Sequence, residues 1–216
     1  MLVWLPILLS GVAGLAALVW AYINYGGFGK SLRYQLPQPA DPESEGAHQH
    51  DQALPGVALL SPGRDEADHL PTVIPEWCEQ DYPHLRVVFI DDASTDDTPT
   101  ITAELSERYP KLLVVRNEQE PPPGWMGKCW AVHQGYEALQ SELRNQQSDI
   151  EWLVFTDADI HWHPRLLRTA IEHAQEHDAD LLGVTPTLRF GSAGEAIVQL
   201  QLVLALGLML PFEKAM

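Results

Sequence analysis

Two carboxylates one residue apart, Asp157 and Asp159, close an apolar run in the stretch Phe155-Thr156-Asp157-Ala158-Asp159-Ile160. Hard oxygen ligands of this kind suit Mg2+ or Mn2+, cations that leave part of their shell to water and substrate phosphates. The competing reading is that both aspartates cap the helix that begins near residue 164. A second acidic pair, Asp91-Asp92, ends the run Arg86-Val87-Val88-Phe89-Ile90. Adjacent carboxylates repel each other unless a ligand or a set of donors uses them, and a carboxylate there can accept from a nucleobase N–H or from ribose hydroxyls. Capping is again the alternative, with Thr95 or Asp97 opening a helix at Thr98, and Asp96 and Asp97 are read only that way. The third element is the loop Pro121-Pro122-Pro123-Gly124-Trp125-Met126-Gly127-Lys128. A helix start there offers free N–H groups and a partial positive charge, Gly127 lets backbone approach closely, and Lys128 adds a mobile cation, which together suit a diphosphate. It is not a Walker loop, because Pro122 and Cys129 break that spacing, and an ordinary first-turn surface lysine is the other reading.

These side chains act together only if a scaffold gathers them. Short apolar runs at residues 57–61, 85–90, 112–115, 152–156 and 181–185 lack polar alternation, as expected for parallel strands covered on both faces. Helical patterns lie between and after them, at residues 66–79, 98–109, 128–141 and 164–177. In the last, Leu167, Ala170, Ile171 and Ala174 recur at three- and four-residue steps and make one apolar stripe. Pro71 and Pro75 weaken the first and predict a kink or a break. The fold class is therefore α/β: a mostly parallel twisted sheet with helices on both faces. In such sheets ligands bind where strands end, so Ser61-Pro62-Gly63-Arg64-Asp65-Glu66, after the first strand, joins the two acidic ends as a polar candidate.

The chain has 216 residues and a formal charge of -17, from 30 acidic against 13 basic side chains, with no basic cluster. That balance repels phosphate backbones and excludes nucleic acid as a partner. Cys78 and Cys129 lie in separate predicted helices without zinc-site or disulfide spacing, and are read as reduced thiols. Residues 2–23 carry no charged side chain, enough at ~1.5 Å per residue to span a bilayer, and end in the aromatic-rich Trp20, Tyr22 and Tyr25. Lys30 and Arg33 follow, so the positive-inside rule puts the rest in the cytoplasm, on an inner-membrane anchor. The expected organisation is an anchor at 1–25, a juxtamembrane segment and flexible linker at 26–55, a globular domain at 56–190 and an apolar membrane-proximal helix at 191–216. His48 and His50, in the polar linker, are read as solvated.

In this order, these elements resemble the family-2 glycosyltransferases of the A-type nucleotide-sugar-binding fold. More narrowly they resemble membrane-associated bacterial members linked to hopanoid or carotenoid-type lipid glycosylation. The likeness covers about residues 55–186. Pro62-Gly63-Arg64-Asp65-Glu66 is similar to the family's Pro-Ala-Arg-Asn-Glu turn, Asp91-Asp92-Ala93-Ser94-Thr95-Asp96 to its Asp-Asp-x-Ser-x-Asp motif, and Asp157-Ala158-Asp159 to its metal motif. Gly124-Trp125-Met126-Gly127-Lys128-Cys129-Trp130-Ala131, with Gly135 downstream, looks like the Gly-Trp-x-Gly-Lys-x-x-Ala stretch of the narrower subgroup. The resemblance implies a nucleotide-sugar donor, a UDP-sugar, held by Pro62, Arg64, Glu66, Asp91, Asp92, Lys128 and Asp157. It also implies a divalent metal, Mn2+ or Mg2+, on Asp157 and Asp159, with inversion at the anomeric carbon, and the apolar segments favour a lipid or membrane-embedded acceptor. Within that set Glu66 and Asp91 contact uridine or ribose, and Lys128 faces the diphosphate.

Two departures stand out. Asp65 replaces the usual Asn, and the family's acceptor-side acidic base and Gln-x-x-Arg-Trp motif do not follow the metal motif. Glu195 and Glu213 sit in no recognisable motif, so no catalytic base is named, and the chain is expected to be a fragment. His161 and His163 are expected on the loop into the next helix. Two other classes remain on the sequence alone: a donor-binding remnant without catalysis, and a phosphoacceptor signalling module in which Asp157 takes the phosphate.

Overall fold

The computed structural model describes residues 54–146 and 150–184, together with residues 191, 192, 194, 195 and 199. All but the last five belong to one compact unit, Pro39–Val184. The elements follow in the order β1 (Gly56–Gly63), α1 (Leu70–Cys78), β2 (Leu85–Asp92), α2 (Thr98–Arg108), β3 (Leu112–Asn117), α3 (Gly127–Gln146), β4 (Ile150–Phe155) and α4 (Leu166–Glu176). The four strands form one parallel sheet in the spatial order β3-β2-β1-β4. The chain lays down β1, β2 and β3 outward in one direction, then returns across the sheet to set β4 on the free side of β1. That reversal makes the C-terminal ends of β1 and β4 a topological switch point, where a sheet of this type leaves a crevice between diverging loops.

Alternate residues of the central strands feed two cores. On one face Val57, Leu59, Val87 and Phe89 pack with Leu70, Val73, Ile74 and Trp77 of α1 and with Leu167 and Ile171 of α4, with Ile101 and Leu105 of α2 at the margin. On the other, Ala58, Leu60, Val88 and Ile90 meet Ala131 and Leu139 of α3. Each fully buried aliphatic or aromatic side chain of this kind stabilises the fold by roughly 1.5–3 kcal/mol relative to exposure. Gly135 sets the depth at which α3 sits. A methyl there would lie 2.5 Å from Cγ1 and 2.7 Å from Cδ1 of Ile90, so only glycine allows the close approach.

The structure departs from the sequence-based expectation in several places. α1 starts at Leu70 instead of residue 66 and continues unbroken through Pro75. Pro71 occupies the first turn, where no N–H is needed, and the burial of Leu70, Val73, Ile74, Trp77 and Cys78 on one side outweighs the single bond that Pro75 withholds. β4 is not covered on both faces: Trp152 and Val154 pack against the first core, while Leu153 and Phe155, on the α3 side, are 39% and 59% exposed. Residues 181–184 form no strand, and Leu181 is 89% exposed; an apolar run becomes a strand only when a neighbouring edge pairs with it. Leu54 and Pro55, read as linker, belong to the body, since Leu54 is buried and the buried Tyr82 hydroxyl donates to the Pro55 carbonyl at 2.7 Å. No described helix is long and apolar enough to cross a membrane. The expected anchor at 1–25 and the apolar segment 196–212, apart from residue 199, lie outside the described residues.

Candidate functional site

At the C-terminal edge of the sheet the loops after β1 and β2 are stitched together. The Asp65 N–H donates to Ser94 Oγ at 2.9 Å, and in return Thr95 N–H donates to Asp65 Oδ1 at 2.7 Å. Glu66 N–H donates to Thr98 Oγ1 at 2.9 Å and Ala67 N–H to Asp96 Oδ2 at 3.1 Å. Asp65 stands at φ 56°, in the left-handed region where a short polar side chain is tolerated better than most. The position needs a left-handed residue whose side-chain oxygen accepts from the opposite loop, and Asp meets both demands as Asn would. Asp96 also accepts from the Thr98 N–H at 2.9 Å, and the bonding to Thr98 holds its carboxyl below the usual carboxylate range. Its expected role at the start of α2 is what the structure shows, whereas Asp97 makes no side-chain cap.

The Asp91-Asp92 pair is resolved by the neighbouring strand. Register sets Asp91 against Arg116 and Asp92 against Asn117. Asp91, with a side chain only 2% exposed, accepts from Arg116 Nη1 at 2.8 Å through Oδ2 and from the Ser94 N–H at 2.9 Å through Oδ1. Asp92 Oδ1 accepts from Asn117 Nδ2 at 2.7 Å. The repulsion expected of adjacent carboxylates is therefore met by the protein's own donors. Arg116 and Asn117 were not singled out from the sequence, although they follow the apolar run 112–115 just as Asp91 and Asp92 follow theirs.

On the other side of β1, the strand pairing carries Leu60 against Phe155, and the Thr156 N–H reaches the Leu60 carbonyl at 3.3 Å. The next residues turn so that Ala158 is buried and Asp157 and Asp159 are exposed. Gly63 makes the turn possible: a Cβ on it would lie 3.0 Å from Ala158 Cβ, from Glu66 Cγ and from Phe89 Cε2. Lys128, in the first turn of α3, pairs its ammonium with Asp157 Oδ1. Both partners are 59% exposed, so the pair stands at the surface of the edge.

The remaining candidates are placed more simply. Pro62 is buried in β1, Arg64 is exposed and lies 4.0 Å from Asp65, and Glu66 pairs with the His69 ring at 2.9 Å. His161 and His163 lie in the irregular segment before α4, as expected, with His161 against Glu76 at 3.0 Å. Glu195 accepts from the Gly191 N–H at 2.8 Å within its own turn. Among the described residues no hydrogen bond or ion pair joins Asp91 or Asp92 to Lys128, Asp157 or Asp159. The two acidic groups flank the β1 turn: Gly63 pairs in register with Asp91 and abuts Ala158. Beside Lys128, the rings of Trp125, Trp130 and His133 lie 5.1–5.4 Å apart, with Trp125 44% exposed. This aromatic group was not anticipated either.

In type, the donor set at residues 157–159 fits a hard divalent cation. Two exposed carboxylates share one turn, and the contact that Asp157 makes is with a cation, the Lys128 ammonium.

The sequence profile described as Glycosyl transferase family 2 matches residues 62–212. A beta-monoglucosyldiacylglycerol synthase from Synechocystis sp. is 32% identical over 49% of this chain and 20% of its own length. Another, from Nostoc sp., is 31% identical over 59% of this chain and 27% of its own. The chain thus spans about a fifth to a quarter of the length of these curated relatives. Among solved structures, a mannosyltransferase from Pyrobaculum calidifontis in complex with GDP-Man and Mn2+ is 25% identical, with a TM-score of 0.48, covering 78% of this chain and 42% of that one.

Proposed function

Because the chain belongs to glycosyl transferase family 2, we propose that it transfers a sugar from a UDP-sugar donor to a lipid or membrane-embedded acceptor, with inversion at the anomeric carbon. The observation that carries this reading is the pairing of Lys128 with Asp157 at the switch point of the sheet. There a mobile ammonium, the first turn of α3 and two exposed carboxylates converge on the edge where a parallel sheet takes its ligands.

In this reading Lys128 moves from Asp157 to the diphosphate, where its positive charge stabilises the leaving nucleoside diphosphate. Asp157 and Asp159 would hold Mn2+ or Mg2+, which when bound would supply positive charge against the diphosphate. Asp91, held rigid by Arg116 and Ser94, orients the nucleoside together with Glu66, while Asp92 stands beside them and Pro62 and Arg64 line the β1 side. The phosphoacceptor alternative has no support in family membership.

For the acceptor, the support is chemical and comparative. The relatives from Synechocystis and Nostoc are named for a glucosylated diacylglycerol, and the apolar segments of this chain suit a membrane-bound protein. We place an anchor at residues 1–25 in the inner membrane, a linker at 26–55, the donor-binding domain at 56–190 in the cytoplasm, and a membrane-proximal helix at 191–216.

The test measures UDP binding with and without Mn2+, and UDP release from a panel of UDP-sugars in the presence of diacylglycerol vesicles. Metal-dependent binding that Asp159→Ala abolishes, with UDP release that rises with vesicles, is the expected result. Binding without turnover would leave a donor-binding protein that does not catalyse. Wild-type binding by Asp159→Ala would refute the metal assignment.

A further inference from the structure

The last turn of α4 holds a group of side chains that the transferase reading does not use. His173, Glu176 and His177 each offer one ligand atom, and these atoms all lie within 4.8 Å of one another. The spacing explains why: residues three and four apart share a helix face, so two imidazoles and a carboxylate project from one patch. Glu176 and His177 are exposed and His173 is half-buried. The His177 ring is held by its own helix turn. Its Nδ1 lies 2.9 Å from the His173 carbonyl oxygen, which can only accept, so Nδ1 carries the proton and donates. The lone pair of the neutral ring is then on Nε2. A metal-ligating histidine is held in this way, its second nitrogen donating to a backbone carbonyl and its tautomer thereby fixed. The C-terminal end of a helix also carries a partial negative charge that favours a cation.

We propose that His173, Glu176 and His177 form a second divalent-cation site, distinct in chemistry from the aspartate pair. Two imidazoles with one carboxylate are borderline-soft ligands that select Zn2+, with water completing a tetrahedral shell, whereas Asp157 and Asp159 are all-oxygen ligands that favour Mg2+ or Mn2+. The start of α4 is fixed at the end of α1, where Leu167 N–H donates to Gln80 Oε1 at 3.1 Å and Arg168 pairs with Asp81 at 3.1 Å. A bound zinc would tie the last turn of α4 together.

The experiment is zinc titration of the full chain by calorimetry, beside Co2+ titration followed by its visible absorption, which reports nitrogen ligation. His177→Gln and the double variant His173→Gln/His177→Gln are compared with Asp157→Asn/Asp159→Asn and with His48→Gln/His50→Gln, which removes the linker histidines. Circular dichroism establishes that each variant is folded, and Glu176→Gln provides a milder change on an exposed position. The site is supported if zinc affinity drops at least ~10-fold in the His173 and His177 variants, less in Glu176→Gln, and stays unchanged in the aspartate and linker variants. Equal zinc binding by wild type and the folded double variant, or loss of binding on changing His48 and His50 alone, would overturn it. So would the absence of zinc binding by the wild-type chain. The outcome does not depend on donor binding or turnover.

Discussion

Lys128 and Asp157, separated by 29 residues, form an ion pair in which each partner remains 59% exposed. Pairs of this exposure contribute roughly 0–1 kcal/mol to stability, because water and salt screen them and two long side chains lose freedom. The pair therefore matters less for holding the fold than for keeping a cation at the edge of β1 and β4.

Lys128→Met is expected to leave the urea midpoint nearly unchanged while weakening UDP binding about 10-fold or more, since one charge-assisted contact to phosphate is worth roughly 1.5–3 kcal/mol. Equilibrium urea unfolding beside calorimetric UDP titration checks both halves. A loss of stability without a loss of binding would make Lys128 a structural residue.

Asp91 behaves in the opposite way. Removing its carboxylate with Asp91→Ala strands the buried Ser94 N–H, at a cost of about 1–3 kcal/mol, and also releases Arg116. Asp92→Ala, at a half-buried carboxylate with one asparagine partner, is expected to cost less. Urea midpoints of the two variants rank them, and Arg116→Ala should lower stability in the same direction as Asp91→Ala because it leaves that buried carboxylate unpaired.

Gly63 joins fold to site. In Gly63→Ala the added methyl meets Ala158, Glu66 and Phe89 at 3.0 Å, so these neighbours, Ala158 in the turn bearing Asp157 and Asp159 among them, must give way. The expected outcome is a loss of Mn2+-dependent UDP binding larger than the change in thermal midpoint accounts for. Gly135→Ala is the contrast: its clash with the fully buried Ile90 costs about 1–3 kcal/mol from overpacking, against about 1 kcal/mol gained in helix propensity. Binding per folded molecule should be preserved there.

The two thiols separate by burial. Cys78 is buried and Cys129 exposed, and burial pushes the Cys78 thiol up to about 12, helped by Glu79 and partly opposed by Lys111. Iodoacetamide at about pH 8 should modify Cys129 alone, with Cys78 reacting only on unfolding, because the thiolate is the nucleophile. The raised value also fixes the sign of a stability effect. Unfolding lets Cys78 ionise at its ordinary value of 9.0, so its contribution is present below that pH and is lost as pH rises toward about 12. Urea midpoints at about pH 8 and about pH 10 should diverge less for Cys78→Ala than for the wild type.

Much of this was legible from local pattern. Apolar runs at 57–61, 85–90, 112–115 and 152–156 marked four strands, and the polar residues after them marked the C-terminal edge of the sheet, because alternation and run length are properties of neighbouring residues. Over residues 181–184 the run misled, since Leu181 and Val184 satisfy the same local pattern with no strand beside them among the described residues. Arg116 was overlooked because a basic residue after a strand has no evident purpose until Asp91 is known to lie opposite.

What the amino-acid order determined by itself is the set of elements and the chemistry each strand end can offer: carboxylates after β2 and β4, and a lysine at the start of α3. Tertiary structure alone decided which of these meet. The order β3-β2-β1-β4 places Arg116 against Asp91 and brings Lys128 to Asp157. Such partners are 25 and 29 residues apart, and pairing at that range depends on the packing of whole strands and helices, which no local periodicity encodes.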